Sequence, residues 1–306
     1  MHRRGLATMA ALVAALGTAT AARSVPAGYG LVWADEFAGQ TLDAARWRHH
    51  QLGPRRDAVN LAEAVRLDGA GNLVIDTWTE NGVHHTGMID TKDRFEPTYG
   101  WFEARIEFDS SPGMWSAFWL QSPTYGSVIG DPGASGVEID VQEHRIECAP
   151  GCDLADFMTS TVHWDGYGAQ HKQISSGRAV PGLAGGFHVY AFEWTPTAYR
   201  FYIDGELLWE PENPPVSHVP EYLLLSSEVE DVLLWAGFAP PGGYGTRETT
   251  TTRMVVDYVR AYQAVPEPAS AALLGTGLAW LARDRRRRAG RGRGHEPSAD
   301  ETSVSM

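Results

Sequence analysis

The chain has 306 residues, with 25 Lys and Arg, 38 Asp and Glu, and two Cys. This length suits one large domain or two small ones, and the composition excludes a disordered or collagen-like protein. Residues 24–264 contain 15 Lys and Arg against 33 Asp and Glu, a net charge of −18. Such a body repels a phosphate backbone, so we expect no nucleic-acid partner. No apolar run is long enough to predict a convincing membrane-spanning helix.

Residues 1–22 have the three parts of a secretory signal peptide. Basic residues open the chain, a weakly polar stretch covers residues 6–19, and small residues follow at 18–22. We predict cleavage after Ala21 or Ala22. A buried N-terminal helix is the alternative, but the segment lacks the polar face that such a helix needs.

Residues 265–288 repeat these parts in reverse order. Pro266-Glu267-Pro268 is followed by an apolar stretch at 271–282 and by an arginine cluster at 283–288. The segment resembles the PEP-CTERM sorting signal of Gram-negative bacteria, which implies processing by an exosortase-type membrane peptidase. Such signals usually end soon after the arginines, whereas this chain continues through residues 289–306 in a polar tail that we predict to be disordered. A plain C-terminal helix with a basic tail is the alternative.

Both ends predict export to the periplasm, cell surface or medium, where disulfides persist. Cys148 and Cys152, in Cys-Ala-Pro-Gly-Cys, can close a small loop over a Pro-Gly turn. A metal site would need at least two further ligands, and the chain has no Cys-rich partner segment. We therefore predict a disulfide between them.

Residues 24–264 are predicted to form one all-β sandwich domain. Their apolar residues recur at period two or in short blocks, and turn-forming breaks separate the blocks. Asp204-Gly205 after an aromatic alternating run predicts a hairpin. No long segment has a helical period, so few helices are expected. The chain also has 11 Trp and 11 Tyr, and aromatic faces left over on a concave sheet would suit sugar rings. The clearest predicted strands are 73–75, 101–108, 189–194, 199–203 and 254–262.

Residues 136–144 carry the strongest chemical signal, because Glu138, Asp140 and Glu143 alternate there with apolar residues. In a regular strand positions 138 and 140 share a face, and 143 points the other way. A β-bulge between Asp140 and Glu143 would bring all three acids to one face. Crowding then raises the pKa of at least one carboxyl, as a proton donor beside a nucleophile requires. From the acids alone, a solvated acidic strand and a calcium site remain alternatives.

The motif Glu-x-Asp-x-x-Glu at 138–143 resembles the bulged catalytic strand of glycoside hydrolase family 16, as found in laminarinases, agarases and carrageenases. Other segments resemble the family's strands in the family's order, and together they cover nearly all of 28–264. The resemblance implies a jelly-roll sandwich of the concanavalin A-like type, with a concave cleft. It also implies retaining hydrolysis of internal β-glycosidic bonds. The matching segments are Trp33–Phe37, Tyr99–Arg105, Gly113–Trp119, Phe187–Trp194, Phe201–Gly205 and Asp257–Arg260.

The resemblance implies that Glu138 is the nucleophile, Glu143 the acid/base and Asp140 a helper that tunes the pair. Retention needs carboxyl groups about 5–5.5 Å apart. His144 should point away from the cleft if alternation resumes after the bulge. The candidate substrate-binding residues are Trp115 as a sugar platform, Trp119 as a residue nearer the core, His163 beside the acid/base, Trp164 as a second platform, and Asn60 and Glu228 as weaker cleft candidates.

Some family members carry a structural calcium on the convex side, which implies Asp257 and a carbonyl near Gly71 as ligands here. Asp257 can equally cap a strand, and catalysis itself needs no cofactor. We predict a monomeric, exported endo-β-glycanase that acts on a β-1,3-glucan, a mixed-linkage glucan or a galactan. The acidic body disfavours sulfated polymers. A carbohydrate-binding protein without turnover and a structural protein of the biofilm matrix are the alternatives.

Overall fold

The structure is a computed structural model that describes residues 25–108, 111–149, 151–230 and 235–265. The predicted signal peptide and the tail at 289–306 lie outside these residues, as does all of the predicted sorting segment except Val265. The chain divides after Gln263 into two compact units, and nearly all of the second unit lies outside the described residues. Among the described residues, no helix is long and apolar enough to cross a membrane.

The described chain is built of strands, as the period-two pattern predicts. The helical elements are a 3₁₀ turn at Ala62–Ala64 and the short helix α1 (Pro132–Ser135). In chain order the strands are β1 (Tyr29–Asp35), β2 (Arg48–His49), β3 (Gly53–Arg55), β4 (Ala58–Asn60), β5 (Val65–Leu67), β6 (Leu73–Asp76), β7 (Trp78–Glu80), β8 (Val83–Thr86), β9 (Met88–Asp90), β10 (Gly100–Glu107), β11 (Met114–Gln121), β12 (Glu138–His144), β13 (Phe157–Trp164), β14 (Lys172–Ala179), β15 (His188–Trp194), β16 (Tyr199–Ile203), β17 (Glu206–Trp209), β18 (Tyr222–Val229) and β19 (Arg253–Ala264).

The strands form two large sheets and one small sheet. The eight-stranded sheet has the order β17-β16-β15-β10-β19-β6-β5, with β1 also paired to β19. The seven-stranded sheet has the order β14-β13-β12-β11-β18-β9-β2, and the four-stranded sheet has the order β3-β4-β8-β7. Several neighbours, such as β10 with β19 and β11 with β18, are distant in sequence, because the chain passes from one large sheet to the other more than once. The strand that carries the acidic motif, β12, lies inside the seven-stranded sheet.

The core lies between the two large sheets. Ile139 and Val141 on β12 contribute to the same buried cluster as Phe102, Ala104 and Ile106 on β10. These residues alternate along their strands, because successive side chains of a strand point to opposite faces. Two sheets that share one interior layer of side chains form a sandwich. The all-β sandwich predicted from the sequence is therefore confirmed.

The predicted hairpin at Asp204-Gly205 is also confirmed. These two residues connect β16 to β17, and both have a positive φ, +49° and +79°. That backbone matches the twist of the flanking strands, and Asp and Gly are among the residues that tolerate it best. The Asp204 carboxylate accepts hydrogen bonds from the Val189 amide at 2.9 Å and the His188 ring at 2.7 Å. The turn is thereby tied to the neighbouring strand β15.

Candidate active site

The acidic strand β12 contains a bulge. Phe118 on β11 pairs with Gln142 of β12. The next residue on β11, Trp119, pairs with Asp140. Val141 therefore has no partner on β11, and this extra residue reverses the alternation for the rest of the strand. The bulge predicted between Asp140 and Glu143 is confirmed.

The bulge brings the three acids of β12 to one cavity while the apolar residues between them stay in the core. The cavity has a volume of about 270 Å³. Glu138, Asp140 and Glu143 are 7%, 6% and 4% exposed. His144 lies on the opposite side, where its ring stacks on Phe108 at 4.9 Å, as alternation predicts. The residues that line the cavity are His50, Gln51, Arg55, Arg56, Trp115, Ala117, Trp119, Gln121, Glu138, Asp140, Glu143, Tyr167, Ser226 and Glu228.

Glu138 is held by donors from two neighbouring elements. Its Oε2 accepts a hydrogen bond from Gln121 Nε2 at 2.6 Å and another from the Tyr167 hydroxyl. Burial raises the pKa of Glu138, while the Tyr167 hydrogen bond, the charge of His163 and the Gln121 hydrogen bond lower it. The donors therefore favour the ionised carboxylate in a site where burial opposes it.

Asp140 lies between the two glutamates along β12. Burial, and then the charges of Glu138 and Glu228, raise its pKa well above the usual range. Its Oδ2 lies 3.2 Å from His163 Nε2, but the geometry does not make a hydrogen bond, and this atom has no other partner among the described residues. Burial and the neighbouring carboxylates therefore favour the protonated form of Asp140.

Glu143 accepts hydrogen bonds on both oxygens. Trp115 Nε1 donates to Oε1 at 3.1 Å, and the Thr161 hydroxyl donates to Oε2 at 3.0 Å. Burial, and then the charge of Asp140, raise the pKa of Glu143 to about 8. A carboxyl with this pKa keeps its proton at neutral pH and can deliver it to a leaving group.

The three acids form a site suited to proton transfer. Within the described part of the chain, no Lys or Arg forms an ion pair with any of them. One atom each of Glu138, Asp140 and His163 lies within 4.8 Å of the others, and carboxylate oxygens and imidazole nitrogens are donors that some divalent cations accept. We assign no metal to this cluster. Donors that favour ionisation of Glu138, beside a Glu143 whose pKa is raised to about 8, form an arrangement that can supply both a nucleophile and an acid.

Glu228 lies in the cavity wall and is not a solvated loop residue. It pairs in register with Trp115 and is 5% exposed. Arg55 donates to its Oε1 from Nη2 at 2.7 Å and from Nε at 3.0 Å, and Arg56 donates to its Oε2. Arg56 also lies over the Trp115 ring at 4.1 Å. The sequence analysis missed these arginines because β3 and its turn are distant from β12 in the sequence.

The two predicted tryptophans of β11 both line the cavity, in different ways. Trp115 is half-buried and packs edge-to-face with Trp235, with the two ring centres 5.0 Å apart. Trp119 is 7% exposed, donates from Nε1 to the Ser226 hydroxyl at 3.1 Å, and packs in a small cluster with Met88 and Tyr222. Trp115 thus offers more surface to a ligand, and Trp119 forms the floor.

Three of the predicted substrate-binding residues, His163, Trp164 and Asn60, do not line the cavity. His163 pairs with Glu138 and shares its face, so Trp164, the next residue of β13, points the other way and packs on the core. Asn60 is 1% exposed within the four-stranded sheet, where it pairs with Gly53 and Thr86. Alternation along β13 was the signal that could have excluded Trp164.

Three cavity residues that the sequence analysis missed come from different kinds of element. Gln121 follows Trp115 and Trp119 at period two on β11, so alternation could have placed it. Tyr167 lies in the loop after β13, and no strand period predicts where a loop side chain points. His50, after β2, was missed for the same reason.

Two further predictions lie away from the cavity. Cys148 and Cys152 are joined in a disulfide with their Cα atoms 5.5 Å apart. Asp257 on β19 accepts a hydrogen bond from Arg105 Nη1 at 2.7 Å. A guanidinium already supplies the positive charge at Asp257, so its contacts do not favour a calcium ion, and calcium stays a prediction.

Comparison with known proteins gives the family of this chain. The model of glycosyl hydrolases family 16 matches residues 56–260. The chain belongs to that family. Its members are glycoside hydrolases, so the predicted enzyme class is confirmed at this level.

The family 16 relatives include β-glucanases. A β-glucanase of Rhodothermus marinus is 30% identical over 262 residues, which cover 77% of this chain and 85% of that protein. Endo-1,3-1,4-beta-glycanase EglC of Rhizobium meliloti is 33% identical over 183 residues, which cover 60% of this chain and 34% of EglC. The chain thus spans most of the first relative and about a third of the second.

Solved structures confirm the jelly-roll sandwich. The laminarinase from Rhodothermus marinus superposes with a TM-score of 0.60 at 27% identity, over 78% of this chain and 98% of that one. A non-specific endo-beta-1,3(4)-glucanase gives a TM-score of 0.61 at 26% identity, over 79% of this chain and 94% of that one. These likenesses cover nearly the whole length of both solved chains.

Proposed function

We propose that the chain is a retaining endo-β-glucanase that hydrolyses internal β-1,3 or mixed-linkage bonds of a glucan. The bulged strand β12 carries this proposal, because it brings three buried acids to one open cavity. Family 16 relatives that are β-glucanases and laminarinases support a glucan substrate. A β-galactan remains the other polymer to test.

In the first step, one Oε atom of Glu138 attacks the anomeric carbon while the glycosidic bond breaks. Glu143 gives its proton to the departing oxygen, and a glycosyl ester forms on Glu138. In the second step, Glu143 takes a proton from water, and the water oxygen displaces Glu138 from the anomeric carbon. The product keeps the original stereochemistry because the carbon is inverted twice.

Asp140 adjusts the charge between the two steps. Its protonated form places no second negative charge beside Glu138 before attack. The charge of Glu138 is one cause of the raised pKa of Asp140, and esterification removes that charge. Asp140 can therefore ionise more readily in the glycosyl-enzyme, where a negative charge stabilises the cationic transition state of the second step.

The charges of the cavity wall favour a neutral polymer. Arg55 and Arg56 are its described basic residues, and both are paired with Glu228. Arg56 also contacts Glu230 at 2.9 Å. A sulfated or carboxylated chain would have to compete with these carboxylates, whereas a glucan hydroxyl does not. This balance supports a glucan over an anionic polysaccharide.

The test is reducing-sugar release from laminarin, mixed-linkage glucan and agarose by the full chain, beside its Glu138→Gln variant. We expect release from a glucan by the wild type and none by the variant, with retained anomeric configuration by proton NMR. Release by both proteins would contradict the role of Glu138. Binding of glucan without release by either would favour a carbohydrate-binding protein.

We also propose that the protein is exported and processed at both ends. The sequence features of residues 1–22 and 265–288 and the disulfide between Cys148 and Cys152 support this. Mass spectrometry of the mature protein in its native host should find the N-terminus after Ala21 or Ala22 and the C-terminal segment removed. An intact chain recovered from the cytoplasm would contradict export. The predicted monomer stays a prediction, which light scattering can check.

A further inference from the structure

Tyr167 contacts Glu138 from the solvent side of the cavity. Its side chain reaches in from the loop after β13, and its hydroxyl hydrogen-bonds Glu138 Oε2. Yet Tyr167 is 67% exposed, unlike the buried acids that it contacts. A side chain this exposed contributes little to the core, so its contact with Glu138 needs another explanation.

A chain of hydrogen bonds fixes the direction in which Tyr167 donates. The Tyr222 hydroxyl donates to Gln121 Oε1 at 2.7 Å, which orients the Gln121 amide. Gln121 Nε2 then donates to the Tyr167 oxygen at 2.7 Å and to Glu138 Oε2 at 2.6 Å. Because the Tyr167 oxygen accepts from Gln121, its own hydrogen is left for Glu138.

Both donors end on the same oxygen of Glu138. Gln121 and Tyr167 donate to Oε2, and no hydrogen bond to Oε1 occurs among the described residues. We propose that Tyr167 is a positioning residue of the double displacement: with Gln121 it holds Oε2 of Glu138 and leaves Oε1 to attack the anomeric carbon. This assignment rests on the proposed function and names a residue of the same site.

The loop that carries Tyr167 is fixed at its base. Asp165 is 1% exposed, and its carboxylate accepts from the Gly130 amide and from Lys172 Nζ, both at 2.7 Å. The neighbouring loop approaches closely at Gly126, where an added Cβ would lie 2.6 Å from the Cα of Gly166. An anchored loop holds the hydroxyl in place before substrate arrives, which is the requirement for preorganisation.

Tyr167 also lines two cavities. One is the cavity of the three acids, and the other, of about 500 Å³, is lined by Tyr125, Ile129 and Asp165 among others. Tyr125 packs edge-on against Tyr167 with ring centres 4.9 Å apart, and its hydroxyl donates to the Gly166 carbonyl at 3.3 Å. Tyr125 thus shares the loop contacts of Tyr167 but makes no hydrogen bond to Glu138, which makes it a matched control.

The charge state of Glu138 provides a readout specific to the Tyr167 hydroxyl. Of the groups that lower the pKa of Glu138, the Tyr167 hydroxyl has the largest effect, so its removal should raise this pKa. The titratable and charged groups around Glu138 are Tyr125 and Tyr167 from the loops, His163 on β13, Asp140 and Glu143 on β12, and Glu221, Tyr222 and Glu228 from β18 and the residue before it.

The test compares the full chain with its Tyr167→Phe and Tyr125→Phe variants. The carboxyl carbon of Glu138 is titrated by NMR after ¹³C labelling of glutamate, and Glu138→Gln assigns its signal. We expect the Glu138 pKa to be higher by about 1 to 2 in Tyr167→Phe and unchanged in Tyr125→Phe. On the glucan that the wild type cleaves, kcat/KM of Tyr167→Phe should fall about 10- to 100-fold, and its acidic limb should move to higher pH.

An unchanged Glu138 pKa in Tyr167→Phe would overturn the assignment, and so would an equal rise in Tyr125→Phe, since the cause would then be the loop. The titration needs no substrate, so it separates the two proposals. If the wild type released no sugar from any polymer, the proposed function would fail. A Glu138 pKa that rose only in Tyr167→Phe would still support Tyr167 as the residue that holds this carboxylate.

Discussion

Two groups of acidic residues, one at each large sheet, have opposite environments. On and beside the eight-stranded sheet, one group of acids is paired with arginines, as in Arg66 with Asp76 at 2.7 Å and Arg260 with Glu36, which directly follows β1, at 2.8 Å. On the cavity face of the seven-stranded sheet, the three acids of β12 are buried without a described Lys or Arg partner. The difference shows that residue type alone does not decide the role of an acid, because burial and partners set its charge state.

The contrast has an energetic consequence. A paired acid near solvent contributes little to stability in either direction. A buried carboxyl without a cation destabilises the fold when ionised, and it keeps its proton instead. The buried carboxyls of the cavity therefore hold protons but lower the stability of the fold, as is common at sites of acid catalysis. Substitutions on the two sheets should separate activity from stability.

The largest effect is expected for Glu138→Gln. Loss of the nucleophile should lower kcat by about 10⁴-fold or more. The neutral amide also removes a buried carboxyl, so the midpoint of thermal unfolding at neutral pH should rise rather than fall. Glu36→Gln, directly after β1, is the matched control, for which both quantities should stay near wild type. A variant that lost activity and stability together would contradict the contrast.

Glu143 and Glu221 are two buried acids, and burial raises the pKa of each to about 8. The pH dependence of stability should therefore be alike for both. Each binds its proton more tightly in the folded state, so each contributes stability that is fully present below the unfolded pKa and is lost as pH rises towards 8. Glu143→Gln and Glu221→Gln should both flatten the fall in the free energy of unfolding between about pH 4.5 and 8, measured by urea denaturation.

Only one of these two acids should control the rate. Glu143 lines the cavity. Glu221 does not line it, and its carboxylate accepts a hydrogen bond from the Val137 amide at 3.2 Å. Glu143→Gln should lower kcat by about 10²- to 10⁴-fold. Glu221→Gln should keep the alkaline limb of the wild-type kcat/KM profile. A lost or shifted alkaline limb in Glu221→Gln would contradict the assignment of that limb to Glu143.

A smaller effect is expected for Glu228→Gln, which leaves Arg55 and Arg56 with less compensating charge. The free guanidinium charge should raise affinity for an anionic polymer such as carrageenan, in a manner that falls with added salt. The rate on neutral glucan should change by less than about 10-fold, since no described contact joins Glu228 to Glu138 or Glu143 and its charge comes last among the causes that raise the pKa of Asp140. Affinity gels at two salt concentrations provide the measurement. If the anionic polymer retarded the variant no more than the wild type, Glu228 would not limit binding of anionic polymers to these arginines.

The smallest effect is expected for Arg260→Ala on the eight-stranded sheet. Arg260 and Glu36 are 31% and 51% exposed, so their ion pair is largely screened by solvent. The free energy of unfolding should fall by less than about 1 kcal/mol, and kcat/KM should not change. Denaturant titration and a rate measurement check both. A loss of several kcal/mol would place this pair among the structurally essential contacts.

Much of the site followed from local patterns. Period-two alternation predicted the strands, and the spacing of Glu138, Asp140 and Glu143 required a bulge, which the pairing with β11 contains. The same alternation would have included Gln121 and excluded Trp164. These inferences succeed because the strand period is a property of the backbone itself.

The sequence by itself determined the sandwich class, the bulged acidic strand and the family. Only the tertiary structure decided which residues meet these acids. Tyr167 reaches Glu138 from a loop, and Arg55 and Arg56 reach Glu228 from more than 170 positions away in the chain. No local period encodes such contacts, because they depend on how the strands order within the sheets and where the loops between them return. The charge of each acid follows from that placement, since burial and neighbours set its pKa.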